Sequence, residues 1–199
     1  MKIVKYPHPA LRHPAKPVAS LDGAMRRIVA QMLELMYEHK GLGVAAPQVG
    51  LPYQLFVMNV KGDPKETGEQ RIYINPLISE KKGTVEAEEG CLSFPDLFQR
   101  VRRARQIRVM AYDERGEPID RVLTDLEARV VQHETDHLHG KLFIDYFGLV
   151  ARLDSRSKLA NFEREYRRAQ ERGELPSDAE LERQLKALEA GPPPEPPVL

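Results

Sequence analysis

Between residues 22 and 39 the apolar side chains Met25, Ile28, Met32, Leu35 and Met36 recur at the spacing that gathers one face of an α-helix. The pattern predicts an amphipathic helix there, with Gly41 as its C-cap. Apolar-rich stretches of strand length follow at residues 54–60, 71–75, 105–112 and 118–123. Asp113-Glu114-Arg115-Gly116 reads as the hairpin turn joining the last two, and residues 83–89 as an added edge strand. The small, Gly- and Pro-punctuated segment 41–50 is expected to be a loop that lets something approach the backbone closely. Residues 61–70 are polar with Gly and Pro and read as a surface loop.

A second helix is expected from Thr124 as N-cap, with Glu127 completing a capping box, to His139, with Gly140 as C-cap. A short apolar exit follows at 142–146. A highly charged helix then covers about 154–172, with Leu159, Phe162, Tyr166 and Ala169 on one stripe. Ser177-x-x-Glu180 opens a short helix ending near Ala190, and the final Gly-Pro-Pro-Pro-Glu-Pro-Pro reads as disordered or polyproline-like. The first twenty residues, with Pro7, Pro9, Pro14 and Pro17, read as an extended lead-in.

These elements predict an α+β fold, with small antiparallel sheets around a central helix that bears the motif His133-Glu134-x-x-His137, and a charged helical C-terminal extension. The expected division is a catalytic domain over 1–170 and an extension over 171–199, part of it disordered. The chain of 199 residues suits one domain with an appendage. Its 30 basic and 30 acidic side chains cancel, so charge gives no argument for nucleic acid or an acidic membrane as partner. No apolar run reaches the roughly 18 residues of a membrane span. The single cysteine excludes an internal disulfide, and the proline-broken N-terminus lacks an apolar signal core. A cytoplasmic location is expected.

On a helix, residues four apart share a face, so the imidazoles of His133 and His137 can point at one metal ion. Glu134 reaches the same cavity without being a ligand, where a general base belongs. His139 has no expected metal role. Two histidines leave the site incomplete, and no histidine follows His139, so the third ligand of the extended H-E-x-x-H proteases is missing. A downstream carboxylate, Glu163 or Glu165, remains open. Cys91, beside Gly90, is the better candidate. A thiolate with two imidazoles gives a three-ligand site with an open fourth position, the arrangement of a catalytic centre. Asp136 and Glu89 are candidates to orient the ligands or to pair with an arginine.

Three segments resemble, in order, the three motifs of peptide deformylases: Gly41-Leu42-Gly43-Val44-Ala45-Ala46-Pro47-Gln48, Glu89-Gly90-Cys91-Leu92-Ser93, and Gln132-His133-Glu134-Thr135-Asp136-His137-Leu138. The Pro-rich opening is similar to that family's start, and the resemblance covers about residues 1–150. It implies that Cys91, His133 and His137 hold the metal, that Glu134 handles the proton, and that Gln48 and the Leu92 N–H face the formyl oxygen. The reaction implied is removal of the N-formyl group from the initiator methionine of nascent polypeptides, releasing formate. Water activated by the ion would attack the formyl carbonyl, with Glu134 as base and then acid. Gly41 and Gly43 would let the substrate backbone lie close, as an added strand, and Val44 and Leu92 are candidates for an apolar pocket around the methionine side chain. Ligand preference alone suggests Zn2+. The resemblance implies Fe2+, one ion per chain, with Ni2+, Co2+ or Zn2+ as substitutes. The implied partner is the formyl-methionyl N-terminus of nascent chains, with ribosome association left open. The competing reading is a zinc peptidase of the H-E-x-x-H type.

Overall fold

The structure is a computed structural model that describes residues 1–191. Helix α1 (Gly23–Glu38) starts where Asp22 Oδ1 accepts the Met25 N–H at 2.9 Å. Its end departs from expectation. Lys40, at φ 54°, takes the left-handed position, and Gly41 donates its N–H to the Met36 carbonyl at 2.8 Å. This is a Schellman ending in which Gly41 is one position beyond the left-handed residue, so its missing side chain has another use.

The strands are β1 (Gly43–Ala45), β2 (Leu55–Met58), β3 (Arg71–Lys82), β4 (Val85–Cys91), β5 (Phe94–Arg103), β6 (Gln106–Tyr112) and β7 (Pro118–Thr124). Five form an antiparallel sheet in the order β1-β2-β3-β6-β7, and β4 and β5 form a separate hairpin. The expected loop over 41–50 is instead β1, paired through Gly43, Val44 and Ala45 with Met58, Val57 and Phe56, followed by a 3-10 turn over Ala46–Val49. β3 continues past the expected stop at Asn75-Pro76, because a bulge between Ile74 and Leu77, with Asn75 at φ 53°, absorbs the proline. β5 is not expected from the sequence. Pro95 and Asp96, the latter at φ 58°, shift the alternation, so that Phe94, Leu97, Val101 and Arg103 are the inward positions.

The central sheet is covered on both faces near β2. Leu55 and Val57 pack with Met25, Met32 and Met36 of α1, whereas Phe56 and Met58 pack on the opposite side with Ala128 and Val131 of α2 (Asp125–Leu138). This explains why β2 is apolar throughout rather than alternating. Farther out only one face is covered. Ile107, Val109 and Ala111 of β6 are buried, while Met110 and Tyr112 are exposed. Ten of the fourteen α2 residues are buried, which makes it the central helix.

The capping box at its start does not form. Thr124 is the last residue of β7, paired with Gln106, and its side chain caps nothing. Asp125, at φ 51°, makes the strand-to-helix corner, with its N–H on the Arg105 carbonyl at 2.8 Å. The other end is as expected. Gly140, at φ 66°, lies so close to the N-terminal segment that a Cβ would stand 2.4 Å from the Arg12 carbonyl oxygen. Gly140→Ala is therefore expected to lower stability by about 2 kcal/mol or more, from left-handed strain plus a backbone clash. Urea unfolding checks this, and an unchanged midpoint would show that the corner relaxes freely.

After α2, a 3-10 turn over Phe143–Tyr146 places Phe143 in a third core cluster with Phe94 and Leu97 of β5. Helix α3 (Leu149–Glu171) packs on β5 through Leu159 and Phe162. Helix α4 (Asp178–Ala190) folds back on the N-terminal segment. Leu181 and Leu185 are buried, the Tyr53 hydroxyl donates to the Leu188 carbonyl at 3.0 Å, and His13 Nε2 lies 2.8 Å from Glu189 Oε1. The proline-rich stretch 192–197 lies outside the described residues. Among the described residues no helix is long and apolar enough to cross a membrane.

Candidate metal centre

Two elements, α2 and the end of β4, bring the cluster together near the C-terminal end of α2. The helix presents His133 and His137 one turn apart, with ring centroids 5.2 Å from each other. The end of β4 brings Cys91, whose Sγ lies 3.4 Å from His137 Nε2. One ligand atom each from Cys91, His133 and His137 falls within 4.8 Å of the other two. Donors around a tetrahedral ion with bonds of 2.0–2.3 Å stand roughly 3.3–3.6 Å apart, so the sulfur–imidazole separation fits direct ligation. Neither downstream carboxylate joins them. Glu163 accepts from the Tyr6 hydroxyl and Glu165 pairs with Arg168.

The carboxylate that does act on a histidine is Glu89. Its Oε2 lies 3.1 Å from His133 Nδ1. A carboxylate only accepts, so Nδ1 carries the proton and Nε2 is left for the site. Glu89 also takes Arg103 in a two-pronged contact at 3.0 Å on each oxygen, and Arg129 on Oε1. Burial alone would raise this carboxyl, but the His133 and Arg103 bonds outweigh it and hold the group at about 2. Asp136 pairs with Arg103 and accepts from the Tyr146 hydroxyl, so it braces the brace rather than a ligand. Burial would push His133 down; Cys91 and Glu89 beside it lift it to about 10 instead. His137 is buried, its Nδ1 has no hydrogen-bond partner among the described residues, and burial pushes it well below its ordinary value.

Glu134 is buried beside the cluster, and its Oε2 has no hydrogen-bond partner among the described residues. Burial pushes its carboxyl up to about 7, against the pull of His133. Gly43 makes this placement feasible, since a Cβ there would stand 2.6 Å from Glu134 Oε1. Gly41 likewise makes room for Leu92, whose Cδ1 would lie 2.9 Å from a Cβ. Gln48 is held by the Ala45 N–H, donated to its Oε1 at 2.8 Å. Its Nε2 is thereby aimed at Cys91 Sγ, at 3.4 Å, and at Ser93 Oγ, at 3.5 Å.

A cavity of about 560 Å³ opens here, lined by Gly41, Gly43, Gln48, Cys91, Leu92, His133 and Glu134. His137 closes the cluster from behind. Val44, in contrast, is fully buried against α1 and does not line the cavity, because β1 alternation turns it to the opposite face from Ala45. The apolar wall comes from Leu92, Phe98, Leu126 and Val130, of which only Leu92 is expected from the sequence. Arg103 and Arg129 are also unexpected. Arg129 has a signal, since it sits one turn before His133 on the same helix face. Arg103 has none, because β5 is hidden.

The family model for polypeptide deformylase matches residues 1–152. A peptide deformylase of Rhodopirellula baltica is 40% identical over 190 residues, covering 96% of this chain and 94% of its own. The solved structure of peptide deformylase from Plasmodium falciparum is similar with a TM-score of 0.81 at 38% identity, covering 83% of this chain and 97% of that one. Peptide deformylase 1B of Arabidopsis thaliana, solved with an inhibitor, gives a TM-score of 0.81 at 38% identity, covering 89% of this chain and 96% of that one.

Proposed function

The chain belongs to the polypeptide deformylase family, and from that premise we propose that Cys91, His133 and His137 hold one divalent ion at its deformylation site. The enzyme removes the N-formyl group from nascent peptides. The observation that carries the site assignment is the buried Glu134 oxygen, without a hydrogen-bond partner among the described residues, next to the converging Cys91 sulfur and two imidazoles. Iron(II) is the ion we assign, in line with the family resemblance, while cobalt, nickel and zinc suit the same donors. The chemistry such an ion supplies is Lewis acidity and a water pKa lowered toward about 7.

The chain's own groups do the rest. Glu134 accepts the water proton on its free oxygen and delivers it to the departing amine nitrogen. The Gln48 Nε2–H and the Leu92 N–H donate to the formyl oxygen as charge grows on it. The free edge of β1 offers backbone groups to an extended substrate. Leu92, Leu126 and Val130 form the apolar wall for the methionine side chain, taking the place expected of Val44. The catalytic unit is residues 1–170, with 171–199 as an extension whose α4 braces the N-terminal segment. The substrate places this work in the cytoplasm, where nascent chains emerge.

The anaerobically purified protein is expected to release formate from a formyl-methionyl peptide and to leave casein intact. Casein cleavage without formate would support a zinc peptidase instead. Gln48→Ala should lose about 10²–10³ in kcat with an unchanged metal content, the usual cost of one oxyanion donor. A wild-type kcat in that variant would remove Gln48 from the mechanism.

A further inference from the structure

Leu92 sits in a two-residue turn, Leu92-Ser93, between β4 and β5. Such turns favour left-handed residues that match the strand twist. Neither Leu92 nor Ser93 has a positive φ, and neither is a glycine or asparagine, so the sequence of the turn does not fix its conformation. Its carbonyls are instead taken by the N-terminal segment. Lys5 Nζ donates to the Leu92 carbonyl at 2.8 Å, and the Tyr6 N–H donates to the Ser93 carbonyl at 3.0 Å. One residue earlier, the Val4 N–H donates to the Gln48 carbonyl at 2.8 Å. Three consecutive residues therefore hold both segments that supply oxyanion donors. The segment is itself anchored. Tyr6 stacks on Phe94 with ring centroids 4.9 Å apart, and its hydroxyl reaches Glu163 of α3.

We propose that Val4-Lys5-Tyr6 is a positioning element that sets the Leu92 N–H and the Gln48 amide relative to each other, with Lys5 as its positioning side chain. The inference rests on the deformylase reading of Gln48 and Leu92. Lys5 lies at the exposed rim of the cavity, where water competes for its bond, so a moderate effect is expected from its loss alone. Lys5→Met keeps the aliphatic stem and removes the donor, and Lys5→Arg restores one.

The experiment measures steady-state formate release from a formyl-methionyl peptide, with metal content and melting temperature of each variant. Lys5→Met should lower kcat about five- to tenfold with KM within twofold, full metal content and a nearly unchanged melting temperature. Lys5→Arg should recover most of the rate. Wild-type kcat in Lys5→Met overturns the proposal, as does a rate loss that follows loss of metal, which would place Lys5 with Cys91 instead. Absence of formate release by the wild-type protein would instead overturn the deformylase reading.

Discussion

Glu134→Gln is expected to keep one ion per chain and to lose at least about 10³-fold in kcat. The substitution preserves size and leaves Cys91, His133 and His137 untouched, so binding of the ion does not depend on it. It removes the group placed to take and return a proton: a buried carboxyl whose Oε2 has no partner among the described residues, raised to about 7 by burial. A group poised near neutrality serves both halves of that exchange. Metal analysis alongside formate release checks the prediction. Turnover near the wild-type rate would assign the proton to another group, and loss of the ion would make Glu134 part of the binding set.

The second large effect concerns Glu89, which no substrate atom needs to touch. Glu89→Ala leaves the buried Arg129 with only the Val101 and Val85 carbonyls among its partners, leaves the buried Arg103 with Asp136 as its acidic partner, and releases His133 Nδ1. Breaking a buried ion pair from one side costs about 3–5 kcal/mol, and here one carboxylate serves three partners. The variant is expected to lose stability of that order in urea unfolding. Its ion should also be held 10- to 100-fold more weakly, the usual consequence of removing a ligand's outer partner. A loss below about 1 kcal/mol would show that Asp136 and Tyr146 alone suffice to hold Arg103.

The proposed ligand set is legible because its chemistry leaves local marks. Two histidines at helical spacing, a solitary cysteine beside a glycine, and a glutamate adjacent to the first histidine can each be read without knowing the fold. The structure brings Cys91, His133, His137, Glu134, Gln48, Leu92, Gly41 and Gly43 to one place. What stayed hidden depends on register. Val44 and Ala45 are neighbours on a strand, and only its pairing decides which faces α1. Arg103 looks like a surface cation until β5 exists, and β5 is masked by Pro95 and Asp96. The capping box failed for a related reason. Thr124 and Glu127 have the right spacing, but pairing with Gln106 keeps Thr124 in the sheet. Local capping preference, worth about 1 kcal/mol, gave way to the strand. In the sequence the glycines read as openings for substrate, yet Gly41 and Gly43 first make room for the enzyme's own Leu92 and Glu134.

The most direct measurement is X-ray absorption at the metal edge of anaerobically prepared protein carrying one equivalent of ferrous ion. The account predicts a shell of one sulfur and two imidazole nitrogens per iron, with the sulfur contribution lost in Cys91→Ala. Iron surrounded only by oxygen and nitrogen in the wild-type protein would contradict it.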